Sequence, residues 1–298
     1  MLSRFIEPEY RHPLDANAML LRVTQGCTWN RCAYCYVSKD YKFAYITPEE
    51  MEEQLQNKSK HAVYPEDTKI WMVGSNPLVL PAERLLGYIG QIRRYFPKFS
   101  EIAMQTRVTD VRSKTMDELK ALRDAGIREL FLGVESGDEA ILKMLNKGAT
   151  AELALEQMLR LNEAGIDIVP MYMVGGGGAG SWERNATNTA RLFNQVRSRM
   201  ISTTGLTVFP NTPLWEMRRL GDFTEATEAE KVRELLAFVR QLEARTFLFC
   251  GHYLNPVHFQ ANMPEDKAKI TAGLEAFLAE HSPEEIEKMV NRREMRSL

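Results

Sequence analysis

The sequence is poor in cysteine, in long apolar runs and in charge of one sign. No run approaches the roughly 18 apolar residues that a membrane span requires, and residues 1–15 contain no continuous apolar segment typical of signal peptides. Lysine plus arginine total 38 against 40 aspartate plus glutamate, which gives a net charge of −2. We therefore expect a soluble, cytoplasmic protein that inserts in no membrane, and the charge balance disfavours nucleic acid as a partner.

Only four cysteines occur in 298 residues, and three of them, Cys27, Cys32 and Cys35, lie in one short segment. A chain of this length buries enough apolar surface to fold without disulfides. In a reducing compartment, such clustering indicates metal or redox chemistry rather than a disulfide framework.

Short apolar segments alternate with longer amphipathic ones along the first two thirds of the chain. Strands are predicted at residues 19–24, 69–73, 101–105, 128–134, 168–174 and 203–209. Helices are predicted at residues 48–60, 81–95, 114–124, 151–164 and 182–196. Thr47 and Pro48 are typical of a helix start, and Gly126 and Gly165 are typical of helix ends.

Six successive strand–helix units predict a parallel sheet with right-handed crossovers. Six units fall short of the eight in a closed barrel, so the predicted fold is α/β, a partial (β/α)6 TIM-like barrel over residues 1–210. Residues 211–298 are predicted to form a mostly helical C-terminal extension packed on the barrel. Its helices are expected at residues 224–242, 264–280 and 283–293, with an irregular aromatic segment at 246–262 between them.

The three clustered cysteines follow the first predicted strand with the spacing C-x4-C-x2-C. Three thiolates on one loop suit three irons of a [4Fe–4S] cube and leave the fourth iron open to another ligand. Two alternatives remain at this point. One is a zinc site completed by His252 or His258, and the other is three unrelated thiols.

The sequence resembles the radical S-adenosylmethionine (radical SAM) superfamily over about residues 19–210. Members carry three cysteines on the loop after the first strand of a partial barrel. The commonest spacing is C-x3-C-x2-C, and a subset has the wider first gap found here. Residues 132–148 (LGVESGDEAILKMLNKG) resemble the group that includes oxygen-independent coproporphyrinogen oxidase and the Elongator catalytic subunit. The resemblance implies a [4Fe–4S] cluster on Cys27, Cys32 and Cys35, with S-adenosylmethionine on its open iron.

The resemblance also implies which residues contact S-adenosylmethionine. Residues 74–77 (GSNP) resemble a Gly-Gly-Glu-Pro-like motif that holds the methionyl amine, with Ser75 and Asn76 in place of its usual glycine and acidic residue; a tight turn is the alternative. Contacts are assigned to Tyr34, Gly74, Ser75, Gln105, Arg107, Glu135, Lys147, Met171 and Phe209.

Within that set, Lys147 or Arg107 would neutralise the cofactor's carboxylate, and Glu135 would hold its amine or ribose. Simpler interpretations stay open for three positions. Arg107 could be a surface charge beyond the strand end, Ser136 could be a helix N-cap, and Phe209 could be plain core. The glycines at 175–178 lack the Gly-Lys-Ser/Thr of a phosphate loop and favour a flexible loop that shapes the cofactor pocket.

Cys250 stands apart from the other cysteines and is most simply a buried structural thiol. The alternative hypothesis makes it a catalytic residue, as a hydrogen-atom donor or substrate contact beside His252, Tyr253 and His258.

The resemblance implies an iron–sulfur oxidoreductase or transferase that cleaves S-adenosylmethionine to a 5′-deoxyadenosyl radical. That radical would take hydrogen from a small molecule or cofactor precursor, and a low-potential electron donor such as flavodoxin or ferredoxin would be required. RNA modification is an alternative that the net charge disfavours, since the densest basic stretch, residues 291–296, is short. A haem-binding, chaperone-like relative using His252 and His258 is the other alternative.

Overall fold

The computed structural model describes residues 5–292, and within them the chain forms ten strands and eleven α-helices. The strands are β1 (Met19–Arg22), β2 (Thr24–Gln25), β3 (Ala44–Tyr45), β4 (Ile70–Val73), β5 (Ile102–Arg107), β6 (Ile127–Glu135), β7 (Asp167–Val174), β8 (Met200–Gly205), β9 (Thr246–Cys250) and β10 (Phe259–Met263). The helices are α1 (Pro48–His61), α2 (Ala82–Tyr95), α3 (Val108–Arg112), α4 (Met116–Ala125), α5 (Glu139–Met144), α6 (Ala151–Ala164), α7 (Trp182–Phe193), α8 (Pro213–Leu220), α9 (Glu228–Gln241), α10 (Lys267–Glu280) and α11 (Pro283–Met289).

Eight strands pair in the order β1-β4-β5-β6-β7-β8-β9-β10, and β2 and β3 form a separate antiparallel pair. The neighbours β1 and β4 run parallel, as do β4 and β5, β5 and β6, β7 and β8, and β8 and β9. β10, at the edge of this sheet, runs antiparallel to β9. The α/β class and the mostly parallel order of the predicted partial barrel are confirmed.

The first five predicted strands match β1, β4, β5, β6 and β7 within two residues at each end. The sixth was placed too late, since residues 203–209 were predicted and β8 runs Met200–Gly205. Val208 is buried although it lies beyond the strand. The β-branched, apolar composition of residues 203–209 therefore predicted burial correctly, but it did not predict which residues form backbone hydrogen bonds in the sheet.

The prediction of an irregular segment at 246–262 was wrong, because this segment contains β9 and most of β10. Four of the five residues of β9 are buried, so the strand shows no polar alternation. Helix α8 was missed, and α9 begins at Glu228 rather than at 224. Helix α11 ends at Met289, and residues 293–296 of the predicted last helix and basic stretch lie outside the described part.

The helix-end signals read from the sequence have their expected geometry. Thr47 caps α1 with a reciprocal capping box to Glu50. Gly126 and Gly165 follow α4 and α6 with positive φ values of 125° and 76°, which non-glycine residues adopt only at a cost. Local chemistry therefore sets these boundaries.

The chain divides into two compact units, and each is described by itself. Within the described residues, the first comprises 5–30, 37–133 and 157–168, and the second comprises 31–36, 134–156 and 169–292. In the first, Trp71 packs on Phe131 with ring centroids 4.7 Å apart. In the second, Leu145, Leu206 and Leu214 belong to one buried apolar cluster. Among the described helices, none has the length and apolarity needed to cross a membrane.

Candidate functional site

The cysteine segment follows β2 and begins with a sharp turn. Gly26 has φ 65°, and a Cβ there would lie 2.7 Å from the carbonyl oxygen of Tyr41, so only glycine fits. Cys27, Cys32 and Cys35 are thiols rather than disulfides, with Cys32 buried and the other two partly exposed. Three such thiols are a donor set that suits an iron–sulfur cluster. Within residues 5–292, no group of three or more His, Cys, Asp or Glu side chains is gathered in a metal-binding arrangement.

In the first unit, Asn76 joins the cysteine segment to the ends of two strands. Its side-chain amide donates to Thr28 Oγ1 (2.8 Å) and to Asp110 Oδ2 (3.1 Å). Asp110 Oδ2 also accepts from Thr106 Oγ1 and from the Arg107 backbone N–H, each at 3.0 Å. Asn76 is fully buried. The pKa of Asp110 is raised, because the effect of burial outweighs the effect of these hydrogen bonds, which lower it.

The candidate amine-binding motif after β4 is shaped for close backbone approach. Gly74 has φ 136°, and a Cβ there would lie 2.1 Å from Thr24 Oγ1. The Ser75 hydroxyl donates to Glu7 Oε1 (3.0 Å) and also contacts Ser38 Oγ. The Ser75 side chain is thus engaged by Glu7 and Ser38, and cofactor binding by this motif stays a prediction.

Arg107 is the last residue of β5, and it is buried rather than a surface charge beyond the strand, so that alternative was wrong. Its guanidinium lies 5.2 Å from the centroid of the Trp29 ring, within the range of a cation–π contact. Gln105 lies two residues earlier, on the same face of the strand, and is half-buried. The first unit thus brings Gln105 and Arg107 to one strand end.

In the second unit, Lys147 lies between Glu135 and Tyr34. Its Nζ is 2.8 Å from Glu135 Oε1 and 3.2 Å from the Tyr34 hydroxyl. Lys147 is 6% exposed and Glu135 is 8% exposed. Glu135 ends β6 with φ 72°, a strained value for a non-glycine residue that points its side chain away from the regular strand direction. A buried ion pair thus occupies the end of β6.

Tyr34 sits between two of the cysteines and is anchored by its neighbour. The Ala33 N–H donates to Leu145 O (2.8 Å), and the Leu214 N–H donates to Ala33 O (2.9 Å). Burial raises the pKa of Tyr34 well above its usual value, and the nearby charges of Glu135, Cys32 and Cys35 add to this. The hydroxyl therefore stays protonated and can donate a hydrogen bond.

The remaining predicted residues of this unit lie in or after other strands. Met171 is half-buried in β7. Phe209 follows β8, is buried, and packs on Tyr36 with centroids 4.2 Å apart. Ser136 is not the N-cap of α5, since the Asp138 carboxylate caps it by accepting from the Ile141 N–H.

The glycine run after β7 is held by neighbouring segments. A Cβ at Gly178 would lie 2.5 Å from Thr224 O, and the Ala179 N–H donates to that same oxygen at 2.8 Å. The Gly180 N–H donates to Glu230 Oε1 (2.7 Å). Close packing against neighbouring backbone therefore explains why glycine is required in this run.

Cys250 ends β9 and is fully buried, with its Sγ donating to Val257 O at 3.4 Å. Burial raises the pKa of its thiol to about 12. The ring of His252 stacks on Tyr253, and burial followed by the charge of His258 lowers the pKa of His252. The catalytic role of Cys250 stays a prediction.

The sequence interpretation missed a buried ion cluster in the second unit. Lys231 Nζ lies 2.8 Å from Glu228 Oε1, and Arg292 Nη2 lies 2.7 Å from Glu228 Oε2. The cluster lines a cavity of about 690 Å³ together with Phe209. The i, i+3 spacing of Glu228 and Lys231 was visible in the sequence, but it is equally typical of an exposed helix face.

Comparisons with known proteins support one family. A family model described as the Radical SAM superfamily matches residues 21–187. The tRNA-2-methylthio-N(6)-dimethylallyladenosine synthase of Aquifex aeolicus (strain VF5) is 22% identical over 233 residues, which are 74% of this chain and 50% of the relative. The chain thus spans about half the length of that curated relative.

Two solved structures share the fold. Coproporphyrinogen III oxidase from Escherichia coli, a radical SAM enzyme, matches with a TM-score of 0.61 and 14% identity, over 84% of this chain and 58% of that one. The cobalamin-dependent S-adenosylmethionine radical enzyme OxsB matches with a TM-score of 0.58 and 15% identity, over 88% of this chain and 46% of that one.

Proposed function

Since the chain belongs to the radical SAM superfamily of enzymes, we propose that it binds a [4Fe–4S] cluster through Cys27, Cys32 and Cys35 and uses it with S-adenosylmethionine. The observation that carries the proposal is the contact, within the second unit, between the Cys32–Cys35 part of the cysteine segment and the buried Lys147–Glu135 pair. Tyr34, between two of the cysteines, lies 3.2 Å from Lys147. The same few residues therefore combine thiolate donors with a cation and a carboxylate.

When bound, the cluster and S-adenosylmethionine would supply one-electron cleavage of a carbon–sulfur bond and abstraction of a hydrogen atom from the substrate. The protein's own residues bind and orient these groups. Gly74 lets the backbone approach the methionyl amine, and Met171 and Phe209 offer apolar surface to the adenosyl half.

Lys147 is the residue we assign to the methionyl carboxylate. Its ammonium donates to Glu135 and to Tyr34, and a buried cation of this kind suits a carboxylate ligand. Glu135 would then take the methionyl amine or a ribose hydroxyl, so that the pair holds both charges of the amino-acid end.

Arg107 and Gln105 are assigned to the same cofactor from the first unit. The guanidinium of Arg107 over Trp29 links the end of β5 to the cysteine segment. A planar guanidinium suits a carboxylate through paired hydrogen bonds. Arg107 is therefore the alternative to Lys147 as the residue that neutralises the carboxylate.

The proposed reaction consumes an electron, so we propose a flavodoxin or ferredoxin as partner. The proposed substrate is a small molecule or cofactor precursor. A tRNA is the second candidate, because the Aquifex aeolicus relative is by name a tRNA-modifying enzyme. RNA that co-purifies, and binding that weakens steeply with salt, would favour the second candidate.

The test is anaerobic reconstitution of the chain with iron and sulfide, followed by reduction in the presence of S-adenosylmethionine. The proposal expects three cysteine-dependent features: bound iron and sulfide, broad visible absorbance, and release of 5′-deoxyadenosine. Purification with stoichiometric zinc, or no 5′-deoxyadenosine from a cluster-loaded protein, would contradict it.

A further inference from the structure

A cavity of about 690 Å³ lies between the loop after β8 and the first turn of α9, and the proposed function uses its wall only at Phe209. We propose that it is the substrate pocket and that Lys231 in its wall binds an anionic group of the substrate, a carboxylate or a phosphate. This inference rests on the proposed function, because it names the class of molecule on which that chemistry acts.

The side chain of Lys231 is buried, and the neighbouring backbone leaves space for it. It is 1% exposed. A Cβ at Gly175 would lie 2.8 Å from its Cε and 3.0 Å from its Cγ, so the glycine after β7 makes room for the lysine stem. In the described residues, its hydrogen-bond partner is Glu228, at 2.8 Å. An ammonium has three donors, which leaves capacity for a ligand.

The charges around Lys231 do not balance within the buried cluster. Glu228 also accepts from Arg292, through Oε1 at 2.5 Å and Oε2 at 2.7 Å. One buried carboxylate therefore faces a buried cation, Lys231, and a partly exposed one, Arg292. In this cluster of three residues the cations outnumber the carboxylate, and an anionic ligand would supply the missing counter-charge.

Neighbouring acids do not remove this imbalance. Burial raises the pKa of Glu234, one turn further along α9, to about 8, so it is mainly protonated at neutral pH. Glu225 pairs with Arg218. Glu287 is exposed to solvent, and its Oε2 accepts from the Glu228 N–H at 2.9 Å.

The cavity has the size and wall of a small-molecule site rather than of a single-ion site. Pockets for small molecules span roughly 300–1,000 Å³. Phe209 and Pro210 add apolar surface to the wall, and Phe209 packs on Tyr36, which follows Cys35. A substrate whose anionic end binds Lys231 would thus have its carbon skeleton on the Phe209 side, the side that continues into the cysteine segment.

Anion binding is tested by calorimetric titration of the full, anaerobically reconstituted chain with succinate, inorganic phosphate and the neutral analogue succinamide. We expect at least one of the two anions to bind, and succinamide to bind at least about tenfold more weakly. Succinate binding alone indicates a carboxylate substrate, and phosphate binding alone indicates a phosphorylated one. Equal binding of succinamide and succinate, or no binding of either anion, would overturn the proposal.

Two variants with opposite expected effects separate anion recognition from general damage. Lys231→Met should weaken binding of the anion by about tenfold or more, whereas Glu228→Gln should strengthen it, because it removes the competing carboxylate. Lys98→Met, an exposed lysine paired with Glu66, is the matched control and should change nothing. Weaker binding in both Lys231→Met and Glu228→Gln would contradict the charge argument.

Parallel measurement of 5′-deoxyadenosine keeps this inference separate from the proposed function. Anion binding without 5′-deoxyadenosine release would contradict the proposed function but support the anion site. Release of 5′-deoxyadenosine without charge-selective binding would contradict the anion site but not the proposed function.

Discussion

Lys147 Nζ lies 2.8 Å from Glu135 Oε1, and neither residue is more than 8% exposed. These residues are twelve positions apart, at the end of β6 and just beyond α5. Removing one partner of a buried pair leaves an uncompensated charge, which typically costs about 3–5 kcal/mol. Substitutions in this pair therefore allow its effects on stability and on cofactor binding to be measured separately.

Lys147→Met should destabilise the chain by a few kcal/mol and weaken S-adenosylmethionine binding by about tenfold or more, since an unpaired Glu135 is left behind. The Lys147→Met, Glu135→Gln double variant should recover most of the stability but not the binding. Urea denaturation and ligand titration measure the two effects. Lys143→Met, an exposed position on α5, is the control. Recovery of binding in the double variant would show that Lys147 acts only structurally.

Asn76→Ala should loosen the cysteine segment, because it removes the amide that joins Thr28 to Asp110. We expect a loss of about 1.5–3 kcal/mol in the free energy of unfolding, as for a buried hydrogen bond to a charged group. Iron bound per chain after reconstitution should fall as well. Asn57→Ala, on the exposed face of α1, should change neither quantity. Full iron loading in Asn76→Ala would contradict the anchoring role.

Glu234 should make the protein less stable as the pH rises. The unfolded chain ionises this group near its usual 4.5, whereas burial holds the folded pKa at about 8. Between these values the native state binds more protons than the unfolded state, so rising pH lowers stability, by at most on the order of 5 kcal/mol.

Glu234→Gln should remove that pH dependence, because a neutral side chain can still accept from Tyr172, Gly175 and Asn185. Urea denaturation from about pH 5 to about pH 9 measures it. Glu163→Gln, at an exposed position of α6, should leave the slope intact. An unchanged slope in Glu234→Gln would show that other groups cause it.

Cys250 should resist alkylation in the folded chain, unlike the partly exposed Cys27 and Cys35. Its thiol is fully buried with a pKa of about 12, and only the thiolate reacts. Iodoacetamide labelling followed by mass spectrometry measures each site. Labelling of Cys250 at the rate of Cys27 would revive its role as a reactive residue, and Cys250→Ala with unchanged products would end that hypothesis.

The strands and most helices were predictable because their signals are local. Thr47, Pro48 and Glu50 lie next to one another and mark a helix start by hydrogen bonds that they make among themselves. β9 was not predicted, since a strand that is buried on both faces has no alternation of polar and apolar residues.

The site was predictable where residues lie in one motif, and not where distant residues meet. The C-x4-C-x2-C spacing is visible within nine residues, whereas Asn76 and Asp110 are 34 positions apart. Arg292 and Glu228 are 64 positions apart. Only tertiary structure brings such pairs together, and their residue types alone are common on any surface.

The most direct test of the whole account compares the wild-type chain with Cys32→Ala after anaerobic reconstitution, reduction and addition of S-adenosylmethionine. The wild type should bind about four irons per chain and release 5′-deoxyadenosine, and Cys32→Ala should do neither. A wild-type chain whose three clustered thiols hold zinc or nothing, or a Cys32→Ala variant that still releases 5′-deoxyadenosine, would contradict it.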